Sequence, residues 1–323
     1  MNKRYLIAAM AAALTLTTGV VMANPIELDG SASYRFRADD NKGNVLPADN
    51  GDKDGSIYKV ILNAKSEVAP NLSVYARLGI LGLTTSNVGR DTAESGDFVG
   101  GIDQYGLLYK NAGFSYKVGR QSATIGATAL LYNDNFRIGK KGFVDGVTVK
   151  GMTGVTTIDA IAAQEDRIGS DDNKLYAVHA SYSPAKNWVV GTTLAKYDAA
   201  VETTTKKDTI NYAVDAAYTM GKATVFGEFL KSDYSTDNKS YDLGVSYAFD
   251  KKNSAYIINF NNEQFADMGQ STDFENGFKG FYYGVDHKFT SDTSASLFFR
   301  DMEALSDSAI KNTSFRATVN YSF

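Results

Sequence analysis

Few side chains in this chain could do chemistry, and most of those act through charge. There is no cysteine, which leaves neither a disulfide framework nor thiol catalysis. The two histidines, His179 and His287, stand far apart on separate predicted strands, His179 facing inward and His287 outward. No P-loop, Rossmann glycine pattern or HExxH run is present. Asn50-x-Asp52-x-Asp54-Gly55 opens like a calcium loop, but the twelfth position, which needs Glu, is Ile61. Neither a metal nor another cofactor is expected, and no enzyme. A net charge of −4 gives no basic footprint for nucleic acid. What remains is a set of cations, Arg35, Arg37, Lys59, Arg77 and Arg120, and a mixed segment carrying Asp134 and Arg137. Their effect depends on the elements that hold them.

Those elements are strands. Thr313 to Phe323 reads TSFRATVNYSF, with Phe315, Ala317, Val319, Tyr321 and Phe323 apolar and polar residues between them. That is the period of a strand with one apolar face and one wet face. The same alternation recurs over Ile26–Arg37, Ser56–Val68, Leu72–Leu83, Tyr105–Lys110, Phe114–Arg120, Phe143–Met152, Val155–Gln164 and Lys174–Ser183. It continues over Asn187–Tyr197, Thr209–Thr219, Ala223–Ser232, Ser240–Phe249, Ser254–Asn262, Lys279–Phe289 and Ser294–Met302. The tally is about sixteen. Connections alternate, long after odd strands and short after even ones, so all the short turns fall at one end. A Lys or Arg facing lipid at mid-depth costs about 2–4 kcal/mol. On strands 1, 2, 3, 8, 10, 12, 14 and 16 the apolar face carries no charge. Strands 5, 11, 13 and 15 do not show which face is which. Only four prolines suit a chain that is nearly all hydrogen-bonded strand.

Residues 1–23 read as a secretory signal: Lys3 and Arg4, an apolar run from Tyr5 to Leu16, and the small-residue site Val21-Met22-Ala23. Residues 24–323 form a single barrel domain.

The ending, with its terminal Phe, resembles the closing strand of bacterial outer-membrane β-barrels. That resemblance implies that Val319, Tyr321 and Phe323 form a signal read by the barrel-assembly machinery. The strand ending Val118-Gly119-Arg120-Gln121, followed by the long third external connection Ser122 to Gly142, resembles the general diffusion porins of Gram-negative bacteria. The resemblance implies an all-β fold, a transmembrane antiparallel barrel of about sixteen strands with an inward-folded third external loop. It implies a homotrimer in outer-membrane lipid and a water-filled channel passing ions and small polar solutes. In that family wall arginines oppose carboxylates on the loop. Carried over, the wall residues are Arg35, Arg37, Lys59, Arg77 and Arg120, and the loop residues are Asp134 and Arg137. Arg120 is in phase with outward residues and needs a bulge at Gly119 to turn inward. The loop departs from the family by adding Arg137, Lys140 and Lys141 to its one acid. The alternatives are a structural or adhesive barrel and a substrate-specific channel. A sugar channel would use an aromatic ladder in the lumen, whereas the aromatics here are expected mostly outward. Small outward residues, Gly30, Ala32, Ala64, Ala76 and Ala317, suggest subunit contact through strands 16, 1, 2 and 3.

Overall fold

The computed structural model describes residues 25–43, 53–84, 99–135, 138, 143–165 and 172–323. The secretory-signal segment and the first half of the Asn50 motif lie outside the described residues. The strands are β1 (Glu27–Lys42), β2 (Lys53–Ala69), β3 (Leu72–Leu83), β4 (Val99–Asn111), β5 (Phe114–Gln121), β6 (Thr124–Ile125), β7 (Tyr132–Asn133), β8 (Val144–Thr153) and β9 (Thr156–Glu165). They continue with β10 (Lys174–Tyr182), β11 (Trp188–Asp198), β12 (Thr209–Met220), β13 (Ala223–Ser232), β14 (Lys239–Ala248), β15 (Asn253–Asn262), β16 (Phe278–Lys288), β17 (Thr293–Ala304) and β18 (Lys311–Ser322). All but β6 and β7 join in one closed antiparallel barrel of sixteen strands. The short β6–β7 pair is a separate hairpin inside the connection from β5 to β8.

Closure removes the two sheet edges that an open sheet would leave unpaired. The seam runs from Ser31 opposite Ser322 to Lys42 opposite Lys311. Phe323 adds a final pair there, donating to the Gly30 carbonyl at 3.1 Å and accepting from the Gly30 N–H at 2.9 Å. The Phe323 ring lies over Gly30, where a Cβ would come within 2.6 Å of it. Glycine is needed at that spot for close approach, not for turn geometry.

The side-chain period of two decides what each face meets. Leu28, Tyr34, Phe36, Val60, Leu78, Val178, Val214, Leu243, Val285 and Val319 project outward and are exposed. Tyr34 and Tyr58 pack as neighbours on that outer face, ring centroids 5.2 Å apart. The short connections all fall at one end of the barrel, as at Ala112-Gly113, whose φ values of 48° and 84° make a tight hairpin turn.

The two largest departures from the expected strand limits are in β1 and β4. β1 continues to Lys42 and β4 starts at Val99 rather than Tyr105. In both, residues that read as loop find ladder partners on the neighbouring strand, as Asn41 does opposite Asn312 and Val99 opposite Leu81. The register of β3 on β4 shifts between Arg77 and Leu78, and Asp103 and Gln104 are both buried there. This bulge turns an extra carboxylate inward.

The facing of the uncertain strands is settled by burial. β13 turns Phe226, Glu228 and Leu230 in, β15 turns Tyr256, Ile258 and Phe260 in, and β17 turns Phe298, Arg300 and Met302 in. Many of these inner residues are apolar because they are not wet. Ala123, Ile125, Leu130, Leu131 and Tyr132 of the β5–β8 loop share one buried cluster with inner-face Ile161, Leu175, Tyr197, Leu230 and Phe260. Ala266, Met268 and Phe274 of the β15–β16 loop belong to the same cluster. Most aromatics lie outward as expected, Tyr34, Tyr58, Tyr212, Tyr241, Phe281 and Phe315 among them, but a smaller group lies inside. Tyr75, Tyr197, Phe260 and Tyr282 are buried, and Tyr282 packs against Phe260, Phe274 and Phe298 at centroid distances of 4.8, 5.3 and 5.2 Å. They hold loops in place instead of forming a ladder in water.

Candidate functional site

The barrel brings together charges that are scattered in sequence. β1, β2, β3 and β18 are consecutive around the wall, and their inner faces carry Arg35, Arg37, Lys59, Arg77 and Arg316. Arg35 Nε donates to Thr318 Oγ1 at 3.1 Å. Arg37 grips Asp39, with Nε 3.0 and 2.9 Å from its two oxygens. Arg77 forms the same two-pronged bond to the bulged Asp103, at 2.7 and 2.9 Å, and stacks on Phe143. Bidentate pairs of this kind fix the guanidinium plane as well as its charge. Arg37 and Arg77 are thus largely neutralised. Among the described residues, Arg35, Lys59, Lys117 and Arg316 have no carboxylate within 4 Å. Lys117 lies over the Tyr75 ring at 4.6 Å, and Arg316 over Phe298 at 4.8 Å.

Arg300 and Arg316 belong to this wall and were not expected there. Arg300 is held by Asn312 Oδ1 at 2.9 and 2.6 Å. Arg316 was visible as a polar residue on the inner phase of the last strand. Arg300 was hidden by the ambiguous facing of its strand.

Arg120 needs correcting. Neither β4–β5 nor β5–β8 shows a register shift, so the expected bulge at Gly119 is absent. Gly119 takes a φ of +124° instead, and a Cβ there would come within 2.3 Å of the Tyr105 carbonyl. Arg120 stays opposite Asp145, buried and paired with it at 3.4 Å. Tyr75 Oη donates to the Arg120 carbonyl at 3.1 Å. It is a structural ion pair with no open charge.

Across the barrel lies an acidic row. Asp215 on β12 stands opposite Glu228 on β13, which stands opposite Asp242 on β14. Asp215 is 9%, Glu228 2% and Asp242 3% exposed. Each keeps one carboxylate oxygen with no hydrogen-bond partner. The β5–β8 loop reaches this row: Thr128 donates to Glu228 Oε2 through its backbone N–H at 3.0 Å and its hydroxyl at 2.7 Å. Tyr132 of the same loop donates to Glu165 at 3.2 Å. His179, facing inward as expected, lies 3.7 Å from Asp215. His287, on the outer face as expected, bonds Asn253 and packs on Phe289, far from any such cluster.

The β15–β16 loop, which the sequence reading passed over, is joined to the β5–β8 loop. Met268 N–H donates to the Leu131 carbonyl at 3.0 Å, Thr272 hydroxyl to the Ala129 carbonyl at 2.9 Å, and Asn133 Nδ2 to Asp273 at 2.9 Å. Burial raises the Asp273 carboxyl above its usual range, opposed most strongly by the charge of Arg316, then by the Asn133 bond, Arg35 and Arg300. Asp273 thus lies in the field of Arg316, Arg35 and Arg300 without an ion pair to any of them. Asp134, the expected loop acid, is fully buried and accepts from Ala123 N–H at 2.7 Å. It folds the loop. Arg137 lies outside the described residues. Val319, Tyr321 and Phe323 all project outward and are about half exposed. Among the described residues no group of three metal-ligating side chains comes together.

Neither a family model nor a curated protein matches this chain. Solved structures do. A variant of the porin of Rhodopseudomonas blastica superposes with a TM-score of 0.59 at 14% identity, covering 93% of this chain and all of that one. A loop L8 deletion mutant of OmpT, an outer-membrane protein of Vibrio cholerae, gives the same TM-score and identity over 92% and 99%. With the closed sixteen-stranded barrel, this likeness defines the class: the chain has the porin fold.

Proposed function

We propose that the protein is a bacterial outer-membrane porin that lets ions and small hydrophilic solutes diffuse passively through its lumen. The observation that carries this is the inner wall. An apolar outer band, with outward charges such as Lys196, Lys231 and Asp301 kept to strand ends beside the long loops, and an inner face bearing Arg35, Arg37, Lys59, Arg77 and Arg316 make sense only if the interior holds water. The β5–β8 loop, bonded to Glu228 and Glu165 on the inner wall, is the constriction, and the β15–β16 loop is its partner. The short turns then face the periplasm and the long loops the exterior. Residues 1–23 direct export, and the last strand engages the assembly machinery. The test is single-channel recording of purified protein in planar bilayers, where discrete conductance steps are expected. A barrel that inserts without them would support the structural or adhesive reading, which the joined loops favour by filling part of the lumen.

Three copies assemble through β18, β1, β2 and β3, where Gly30, Ala32, Ala64, Ala76 and Ala317 allow close approach. β12, β14 and β16 present bulky Tyr212, Tyr241 and Phe281 to lipid. Engineered disulfides should trap subunit pairs through the first set. Crosslinks forming only through β12–β16 would refute this packing.

A further inference from the structure

We infer that the channel prefers small anions, because its two joined loops cover the acidic half of the wall and leave more of the cationic half facing water. This rests on the channel reading and assigns its solute class.

Fixed charge on a pore wall acts on a passing ion according to how much water lies between them. The two halves of this wall differ in that respect. Asp215, Glu228 and Asp242 form one row on β12–β14 and are at most 9% exposed. Thr128 sits on Glu228, and Ala127, Thr128 and Phe274 line the same cavity as Asp215 and Asp242. Phe274 belongs to the second loop, so both loops lie between this row and the lumen. An ion in the open bore does not reach it.

The opposite half is covered less completely: Ile138 of the first loop packs on Leu81 and Leu83, and Phe143 lies under Arg77. Arg35, Lys59, Lys117 and Arg316 are only partly buried, and among the described residues none has a carboxylate within 4 Å. Arg37 and Arg77 are offset by Asp39 and Asp103. Asp159, the accessible acid beside Lys117, is matched by Lys150 at 3.3 Å. Asp286 lies only three residues from the short turn after β16, near the barrel mouth. Against these four cations the described residues of the second loop set Asp273 and the half-buried Glu275. Among the described residues the open cross-section therefore carries an excess of positive charge, although the whole chain is net negative at −4. A cavity of about 320 Å³ beside the first loop is lined by Ser115, Lys117, Thr148, His179 and the Lys150–Asp159 pair, which leaves Lys117 as its uncompensated charge among the described residues.

The experiment is the reversal potential of purified protein in a potassium chloride gradient across a planar bilayer. Wild type is expected to reverse on the anion side. The preference should shrink in concentrated salt, since the Debye length falls to about 3 Å at 1 M. The triple variant R35Q/K59Q/R316Q should lose most of it, with its folding checked by heat-modifiable electrophoretic mobility. D215N/D242N should leave the reversal potential unchanged. Cation preference in the wild type would overturn the inference without any variant. A shift from D215N/D242N as large as that from the triple variant would overturn it too, because the acidic row would then face the solute. Absence of any conductance step would overturn the channel reading itself, an outcome distinct from both.

Discussion

Deleting residues 124–134 is expected to raise single-channel conductance by roughly a factor of two or more, because a sixteen-stranded barrel without an internal constriction leaves a broad aqueous bore. The deleted segment carries the hairpin β6–β7 and every bond that ties this loop to the far wall. Thr128 loses Glu228, Tyr132 loses Glu165, and Asn133 loses Asp273. The second loop then loses its partners at Leu131 and Ala129 and should pack more loosely against β15–β17. The size cutoff for neutral sugars should rise with the conductance. The barrel should still form, because the β-ladder around it is continuous without β6 and β7. A milder change, Thr128→Ala, removes the 2.7 Å hydroxyl bond but keeps the backbone one at 3.0 Å. Loss of one bond to a charged acceptor is worth about 1.5–3 kcal/mol, enough to free the loop tip part of the time. Its expected signature is noisier open-channel current at nearly unchanged mean conductance. Unchanged conductance after the full deletion would place the narrowest point elsewhere.

Deleting Phe323 should lower the yield of protein in the outer membrane by roughly tenfold, while barrels that do form should melt at nearly the wild-type temperature. The second half follows from the seam. Twelve residue pairs join β1 to β18, and Phe323 adds two backbone bonds to Gly30 beyond them. Two hydrogen bonds at about 1 kcal/mol each are a small part of a closed ladder. The first half follows from exposure. Phe323 is 56% and Tyr321 49% exposed on the outer face, with ring centroids 6.0 Å apart. Side chains this open contribute little to packing and are free to be recognised before the seam closes. Fractionating cells and comparing membrane-inserted with total protein checks the yield. Mobility after graded heating checks the stability. Normal yield from the truncated chain would remove the assembly role from Phe323.

The sixteen barrel strands were legible because lipid outside and water inside impose a period of two on every segment. Leu72–Leu83 and Ala223–Ser232 were read to the residue. The pattern failed where the interior is not water. β13, β15 and β17 turn Leu230, Phe260 and Met302 inward against the loops, so both faces of those strands look apolar. Arg300 went unassigned for the same reason. The acidic row was out of reach for a different one: its members come from three strands, and only inter-strand register puts them side by side. The β15–β16 loop did carry a signal. Phe265, Met268 and Phe274 are too apolar for a loop lying in water, and two of them are buried. Length and position singled out the β5–β8 loop, but the acid assigned to it, Asp134, serves its own fold. Asp273, from the other loop, bonds Asn133 and lies in the field of the arginines.

The joining of these two loops also orders events in time. Thr128 finds Glu228 across 100 residues of chain, and Thr272 finds Ala129 across 143. Hairpins between neighbouring strands need only local loop closure, which is fast, whereas contacts this distant in sequence must wait. During biogenesis the first loop emerges long before the wall it will rest on exists. The loop therefore has no seat until β13 to β16 are in the wall. Loop seating on Glu228 and docking of the second loop are thus late events, close in time to closure of the barrel by β18.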